Sequence, residues 1–332
     1  MTHSPINYLR TPAVKMAALD HWPAAVHVFD KTTQAALQAA EATGRPLLIR
    51  GLPGVGKSQT ARAAAWVSGR PLISQVIDGR TEAQDLMFRF DAVRRLADAQ
   101  VLRPHQQLKD EAHYLQPQAL WWAFDWKTAK EAASQPAPPA HTPKGWNPAS
   151  DRCVLLIDEI DKADPDLPNA LLEVLSTQGF FVPILNRRVT APAGRRPLII
   201  ITTNDERELP APFLRRCLVL KLALPRDAAA LTAELADLGR LHQDWQREVH
   251  RSSAGAAGWA GSCELIDEVA ALVANARVKA LSQRRYLPGT SEFLDLVQAL
   301  AEIAPDDQHA QRTQLATLAE FALSKQLDGP GG

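Results

Sequence analysis

Gly51-Leu-Pro-Gly54-Val-Gly56-Lys57-Ser58 decides the fold, with Leu47-Leu-Ile49 leading into it and a helix-forming run leading out. It fits G-x-x-x-x-G-K-[ST], and its flanks are the ones the pattern needs, an apolar strand before and a helix after. The glycines let the backbone curl so that successive N–H groups converge on phosphate oxygens, and the helix N-terminus adds partial positive charge. Lys57 can reach β- and γ-phosphates, and the Ser58 hydroxyl can ligate Mg²⁺. Gly51, Pro53, Gly54, Val55, Gly56 and Gln59 complete the residues expected to touch ATP. An ordinary glycine-rich turn would not need the Lys-Ser pair or these flanks.

Outward from this loop, short apolar runs alternate with helical patterns over the first two-thirds of the chain. PLLIR (46–50), PLISQV (71–76), CVLLI (153–157), PLIII (197–201) and CLVLKL (217–222) read as buried strands. Hydrophobicity without alternation is what a parallel sheet covered on both faces requires. Gln59–Val67, closed by Gly69, and Ala170–Leu175 have helical spacing, so the pattern predicts a doubly wound α/β domain. Beyond Pro225 the strand signal stops. Asp227–Leu238, Cys263–Leu281, Glu292–Ile303 and Gln311–Gln326 read as helices, with a small-residue loop at 250–262. The expected division is an α/β nucleotide-binding domain at 1–224 and a helical lid at 225–332. The Pro-rich stretch 135–150 reads as an exposed loop within the first domain, and the final DGPGG as a fraying end.

Three further stretches carry chemistry. Val154-Leu-Leu-Ile157 ends in Asp158-Glu159, two carboxylates at the carboxyl end of a buried strand, where open α/β sheets bind ligands. Asp158 would hold Mg²⁺ through its coordinated water, and Glu159 would take a proton from, or orient, the water attacking the γ-phosphate. Asp161 reads as a surface or interface acid. PLIIITTN (197–204) ends in Asn204, whose neutral amide can hold the γ-phosphate and lytic water without neutralising Glu159. Leu214-Arg215-Arg216-Cys217 supplies a candidate arginine acting on a neighbouring subunit's phosphoryl group, Arg216 ahead of Arg215. A head-to-tail interface that closes makes a ring.

The 332 residues are 46% hydrophobic and 22% charged, with formal net charge +0. The pI near 7.1 gives no general electrostatic case for nucleic acid or anionic membrane. Cys153, Cys217 and Cys263 are far apart, without metal spacing, and read as buried free thiols. The nine histidines show no zinc spacing. No apolar run reaches the length of a membrane span and the first residues lack a signal-peptide core, so the expected location is cytoplasmic.

GLPGVGKS, VLLIDEID, IIITTN and LPAPFLRRC, in this order and ahead of a helical region, resemble AAA+ ATPases. DGRTEAQDLMFRFDAVRRLADAQ (78–100), YLQPQALWWAFD (114–125) and DKADPDLPNALLEVLSTQGFFVPIL (161–185) are similar to the MoxR branch. The resemblance covers most of 25–300. It implies a five-stranded sheet with a helical lid, a hexameric homo-oligomer, and ATP-driven remodelling or maturation of a client protein. It also implies a von Willebrand A-domain protein as partner. Lys57 and Asp158 stand 101 residues apart, long for one strand and two helices, so an insert is expected at about 85–150. In similar proteins such an insert and a later hairpin, here about 179–192, face the pore or partner. Trp121, Trp122 and Trp126 fall in this region, either packing the insert onto the core or meeting a partner. Arg187 and Arg188 read as solvated at the hairpin tip. Many lids of this kind present an arginine to the γ-phosphate; here the first turn near Thr290-Ser291 has none, leaving Arg284 or Arg285 as substitutes. A slow-turnover nucleotide switch and a nucleic-acid motor are the competing functions.

Overall fold

The computed structural model describes residues 13–19, 22–102, 107–133, 147, 152–192, 194–255, 257–283 and 286–323. In chain order its elements are β1 (Ala13–Met16), β2 (Ala25–Val28), α1 (Lys31–Thr43), β3 (Leu47–Arg50), α2 (Lys57–Ser68) and β4 (Leu72–Val76). Next come α3 (Ala83–Met87), β5 (Phe88–Phe90), α4 (Ala92–Gln100), β6 (Leu115–Pro117), α5 (Ala119–Phe124), α6 (Trp126–Ala132) and β7 (Val154–Asp158). They are followed by α7 (Asp166–Thr177), β8 (Gly179–Val182), β9 (Arg187–Thr190), β10 (Leu198–Thr203), α8 (Ala211–Arg216) and β11 (Leu218–Lys221). The chain then runs through α9 (Ala228–Ser252), α10 (Ile266–Gln283), α11 (Thr290–Ile303) and α12 (Gln308–Leu323). Among the described residues no helix is long and apolar enough to cross a membrane.

Contacts divide the chain into two compact units. One takes residues 29–50 and 58–221; the other takes 13–28, the loop 51–57 and the chain from 222 onward. In the first, β11-β3-β10-β7-β4 form a five-stranded sheet with every pair parallel. Its central strand β10, LIIITT, is buried at every position, as an apolar, β-branched strand with neighbours on both sides should be. The edge strands β4 and β11 are only partly covered, with Val76 and Val219 more than half exposed. Strands β3, β4 and β10 begin one residue later than the apolar runs that announce them, because Pro46, Pro71 and Pro197 have no N–H for the ladder. Their carbonyls still serve: Pro46 O accepts from Leu218 N at 2.8 Å, and Pro71 O from Val154 N at 3.0 Å.

The insert builds on this unit rather than interrupting it. The β5–β6 hairpin leads into α5, whose six residues are all buried. Trp121 is fully enclosed, packs edge-on to Phe180 and donates from Nε1 to Thr128 Oγ1 at 2.9 Å. Trp122 meets Trp126 with ring centroids 5.1 Å apart. These tryptophans pack the insert onto its own unit. By contrast α4 buries nothing and leaves Val93 and Leu96 exposed, as is Val101 just after it. The hairpin expected at 179–192 is β8–β9, with Arg187 and Arg188 exposed at the start of β9.

The second unit is helical, with a core of Leu231, Leu235, Val269, Val273, Phe293, Val297 and Leu300. Here α9 continues to Ser252, well past the expected end at Leu238. Its buried stripe runs on as His242 and Gln246, polar residues that break the apolar periodicity without breaking the helix. The β1–β2 hairpin supplies their surroundings: Gln246 Nε2 donates to Ala24 O at 2.6 Å and Trp245 Nε1 to Met16 O at 2.9 Å. Gly239 allows the helices to cross closely, since a Cβ there would lie 2.6 Å from the Phe293 ring. Arg284 and Arg285, the segment 134–146 and the terminal DGPGG lie outside the described residues.

Candidate active site

The glycine loop leaves the carboxyl end of β3 and runs into α2. Gly54 and Gly56 hold φ of 77° and 91°, a left-handed conformation that glycine alone adopts without cost. Gly51 is needed for space instead: a Cβ there would sit 2.5 Å from Leu222 O. Lys57 is buried and its ammonium donates to Gly51 O at 2.7 Å and Leu52 O at 2.9 Å. Two neighbours of the loop arrive from distant sequence, Ser291 from the helix start expected to face the nucleotide and His27 unannounced. Ser291 Oγ lies 3.1 Å from a Cβ placed on Gly54, and the His27 ring 3.7 Å from one on Gly56. Nothing in the spacing of His27 marks it.

Ser58 opens the first turn of α2 in the α/β unit and donates from Oγ to both carboxylate oxygens of Asp158, at 2.9 and 2.8 Å. Thr202 Oγ1 also donates to Asp158 Oδ1 and accepts from the Glu159 N–H at 2.9 Å. Hydroxyl and carboxylate are the hard oxygen donors that Mg²⁺ prefers, and a carboxylate gathered against a serine fits that ion. The curled loop with its inward amides likewise fits a phosphate chain. Gln59 Oε1 is buried without a hydrogen-bond partner among the described residues.

Glu159 follows the last residue of β7 and turns the chain at φ 60°, so its side chain leaves the strand's regular alternation. Asn204 follows β10 and donates from Nδ2 to Glu159 Oε1 at 3.2 Å. The structure thus brings together Ser58, Asp158, Glu159 and Asn204 at the carboxyl ends of β7 and β10. Asp161 departs from its expected place on the surface: it is 2% exposed, and its Oδ2 accepts the backbone N–H groups of Asn204 and Glu206, both at 3.0 Å. Both of these bonds fall on Oδ2, while Oδ1 is buried without a partner among the described residues, and sequence alone reveals neither.

Arg215 and Arg216 end α8 at the amino end of β11, away from this cluster. Arg216 donates to Ser176 Oγ at 3.0 Å and Pro212 O at 3.2 Å. Arg215 is exposed, with no side-chain hydrogen bond or ion pair among the described residues. Arg45 fixes this turn by donating to the carbonyls of Arg215, Arg216 and Cys217. The three cysteines are free and buried, and burial pushes the Cys153 and Cys217 thiols up to about 12 and Cys263 up to about 11. Such thiols stay protonated and unreactive.

A parallel five-stranded sheet with this glycine loop after one strand and Asp-Glu after another has the architecture of the P-loop AAA+ class. Residues 46–217, a little over half of the chain, match the AAA domain (dynein-related subfamily), and the chain belongs to that family. Its fold is similar to RuvB of Thermotoga maritima, the Holliday junction branch migration motor, at 13% identity and a TM-score of 0.44, covering 90% of this chain and 70% of that one. A mutant of the same RuvB gives 13% identity and a TM-score of 0.44 over 86% and 68% of the two chains. No curated protein matches the sequence.

Proposed function

We propose that this chain hydrolyses ATP with Mg²⁺ in a ring of its own copies and uses the cycle to remodel a client protein, as a member of the MoxR branch. The observation that carries the proposal is the cluster of Ser58, Asp158, Glu159 and Asn204, with the Asn204 amide 3.2 Å from the Glu159 carboxylate. Bound Mg²⁺ supplies countercharge to the phosphates. Lys57 turns from the loop carbonyls to the phosphates, while Ser58 and Asp158 hold the ion. Glu159, oriented by Asn204, takes the proton of the attacking water. The amide of Asn204 shares that water without quenching the carboxylate. Arg216 acts on the neighbouring subunit's phosphoryl group, with Arg215 as its alternate.

The exposed Val93 and Leu96 of α4, Val101 just after it, and the half-exposed Phe181 of β8 support a partner-facing insert and hairpin. Assembly as a hexamer and a von Willebrand A-domain partner rest on the MoxR resemblance. A cytoplasmic location is the expectation drawn from the sequence itself, not from that resemblance. The deciding experiment is ATP hydrolysis per protomer against protein concentration, for wild type and Arg216→Ala. Specific activity that rises with concentration and collapses in the variant is expected. Flat activity, unchanged by the substitution, would end the ring mechanism.

One observation favours a slower switch. The first turn of α11 beside Gly54 presents Ser291 and the buried acid Glu292 and carries no cation of its own; the Arg277 guanidinium beside it donates to Pro288 O at 2.8 Å. Very low turnover that a partner does not raise, with ATP-controlled partner binding intact, would choose that reading.

A further inference from the structure

All five core strands begin alike. Arg45-Pro-Leu47, Arg70-Pro-Leu72 and Arg196-Pro-Leu198 share one pattern, and Arg152-Cys-Val154 and Arg216-Cys-Leu218 vary it, so an arginine stands two residues ahead of every strand. The strand order β11-β3-β10-β7-β4 then sets Arg216, Arg45, Arg196, Arg152 and Arg70 in a row along the amino edge of the sheet. Leu72, Val154 and Leu198 are ladder partners in register, as are Leu47 and Leu218, while Leu47 pairs with Ile200, so Arg70, Arg152 and Arg196 leave at one level and Arg45 and Arg216 at another two residues further in. Strands about 4.8 Å apart make the row roughly 19 Å long. The acids Asp158 and Glu159 sit at the other end of the strands.

Two cavities of about 280 Å³ each open along this edge and share Thr43, Gly44 and Arg196. One is lined by Arg152 and Arg196, the other by Arg45, Arg196, Arg215 and Arg216. Among the described residues the one acid lining either is Glu41, already held by Arg70 at 2.5 and 3.2 Å and by Arg152 at 3.8 Å. Arg45 is committed to backbone carbonyls. Arg196 is exposed and makes no hydrogen bond or ion pair among the described residues. The chain as a whole is neutral, so this edge concentrates cations that the rest of the molecule balances elsewhere. Like charges so placed repel unless an anion covers them.

We infer that the amino edge of the sheet around Arg152 and Arg196, leaving Arg215 and Arg216 to the neighbouring subunit, is a docking surface for an acidic, partly apolar segment of a partner protein. Guanidinium groups pair with carboxylates through two parallel hydrogen bonds, which suits Asp or Glu side chains entering the two small cavities. Leu172, half-buried at the lining of the second cavity, offers contact to an apolar residue between the acids. About six extended residues span the row. Nucleic acid fits less well: the one aromatic ring lining either cavity, Phe213, is 1% exposed and gives bases no face to stack on. The inference does not depend on ATP hydrolysis.

The test uses the full chain without nucleotide and a fluorescein-labelled peptide of alternating Glu and Leu, followed by fluorescence anisotropy. Wild type should bind saturably, more weakly as salt rises. Arg196→Glu, which breaks no bond within the fold, should lose affinity about tenfold or more, the scale of one charge-assisted contact reversed. Its melting temperature should match wild type; if it does not, Arg196→Gln serves, with a smaller loss expected. Absent binding, equal affinity in both Arg196 variants, or equal binding of a Gln-Leu peptide would overturn the inference. So would an oligothymidylate of matched charge that binds more tightly. A fall in self-association of Arg196→Glu without peptide binding by wild type would instead assign this edge to contact between copies.

Discussion

Asn204 donates its side-chain amide to the Glu159 carboxylate across 3.2 Å, each residue standing just past the end of a neighbouring strand, β10 and β7. A neutral donor fixes the carboxylate without removing its charge. Glu159→Gln keeps the shape and removes the base, so ATP hydrolysis should fall at least about 100-fold, the usual size of a general-base contribution. Nucleotide affinity should remain near wild type. Asn204→Ala should lose turnover by a smaller factor. Steady-state hydrolysis alongside fluorescent-nucleotide titration separates the two effects, and a Glu159→Gln protein that turns over normally would remove Glu159 from the role.

Asp161 acts one step behind. Its carboxylate accepts the N–H groups of Asn204 and Glu206 and so fixes the turn that aims Asn204. Asp161→Ala leaves two donors without that acceptor, at roughly 1–3 kcal/mol for each one kept from water. The melting temperature should drop and hydrolysis should fall while ATP affinity holds. Asp161→Asn retains an acceptor oxygen and should recover part of both. An alanine variant as stable and active as wild type would show that Asn204 holds its place unaided.

The five strands were legible because a buried parallel sheet demands unbroken apolar runs, and LLI, VLLI and LIII leave little else to read. Asp158, Glu159 and Asn204 were legible for a related reason, as polar residues ending such runs. Helix α1 was not: TTQAALQAAEAT is Ala- and Gln-rich, and its buried face includes Thr33 and Gln34. The far half of α9 was hidden because His242 and Gln246 continue a buried stripe with polar side chains, Gln246 satisfied by a hairpin more than 200 residues earlier and His242 packed against Trp259. Asp161 looks like any acid until its two backbone donors are seen. The arginine ahead of each strand was present in the sequence but gains meaning only when the strand order aligns all five.

The phosphate loop should respond to glycine substitution by position. Gly51→Ala puts a Cβ against the Leu222 carbonyl at 2.5 Å, and backbone cannot yield cheaply. Gly56→Ala forces φ of 91° on a residue with a Cβ, costing on the order of 1–3 kcal/mol. Both should weaken ATP binding. Gly69, which closes α2 at φ 62° with open space around it, should cost only about 1 kcal/mol of stability as alanine and leave affinity alone. Nucleotide titrations of the three variants test this, and wild-type affinity in Gly51→Ala would mean the loop does not keep this packing when it binds.

The helical unit carries a pH dependence of its own. His242 is 7% exposed, lies 5.3 Å from the Trp259 ring, and burial pushes its imidazole down to about 4 from an ordinary 6.5. Between those values the unfolded chain binds a proton that the folded chain refuses. Stability should therefore be unaffected by this group above about pH 6.5, decline as pH falls toward 4, and level off below. The full span is worth on the order of 3 kcal/mol. Carboxylates titrate in part of the same window, so the informative quantity is the difference between wild type and His242→Gln, whose unfolding free energy should fall less steeply from pH 7 to pH 4. Parallel profiles would mean that His242 takes up its proton within the fold at an ordinary pH, and that the burial against Trp259 is looser than its geometry.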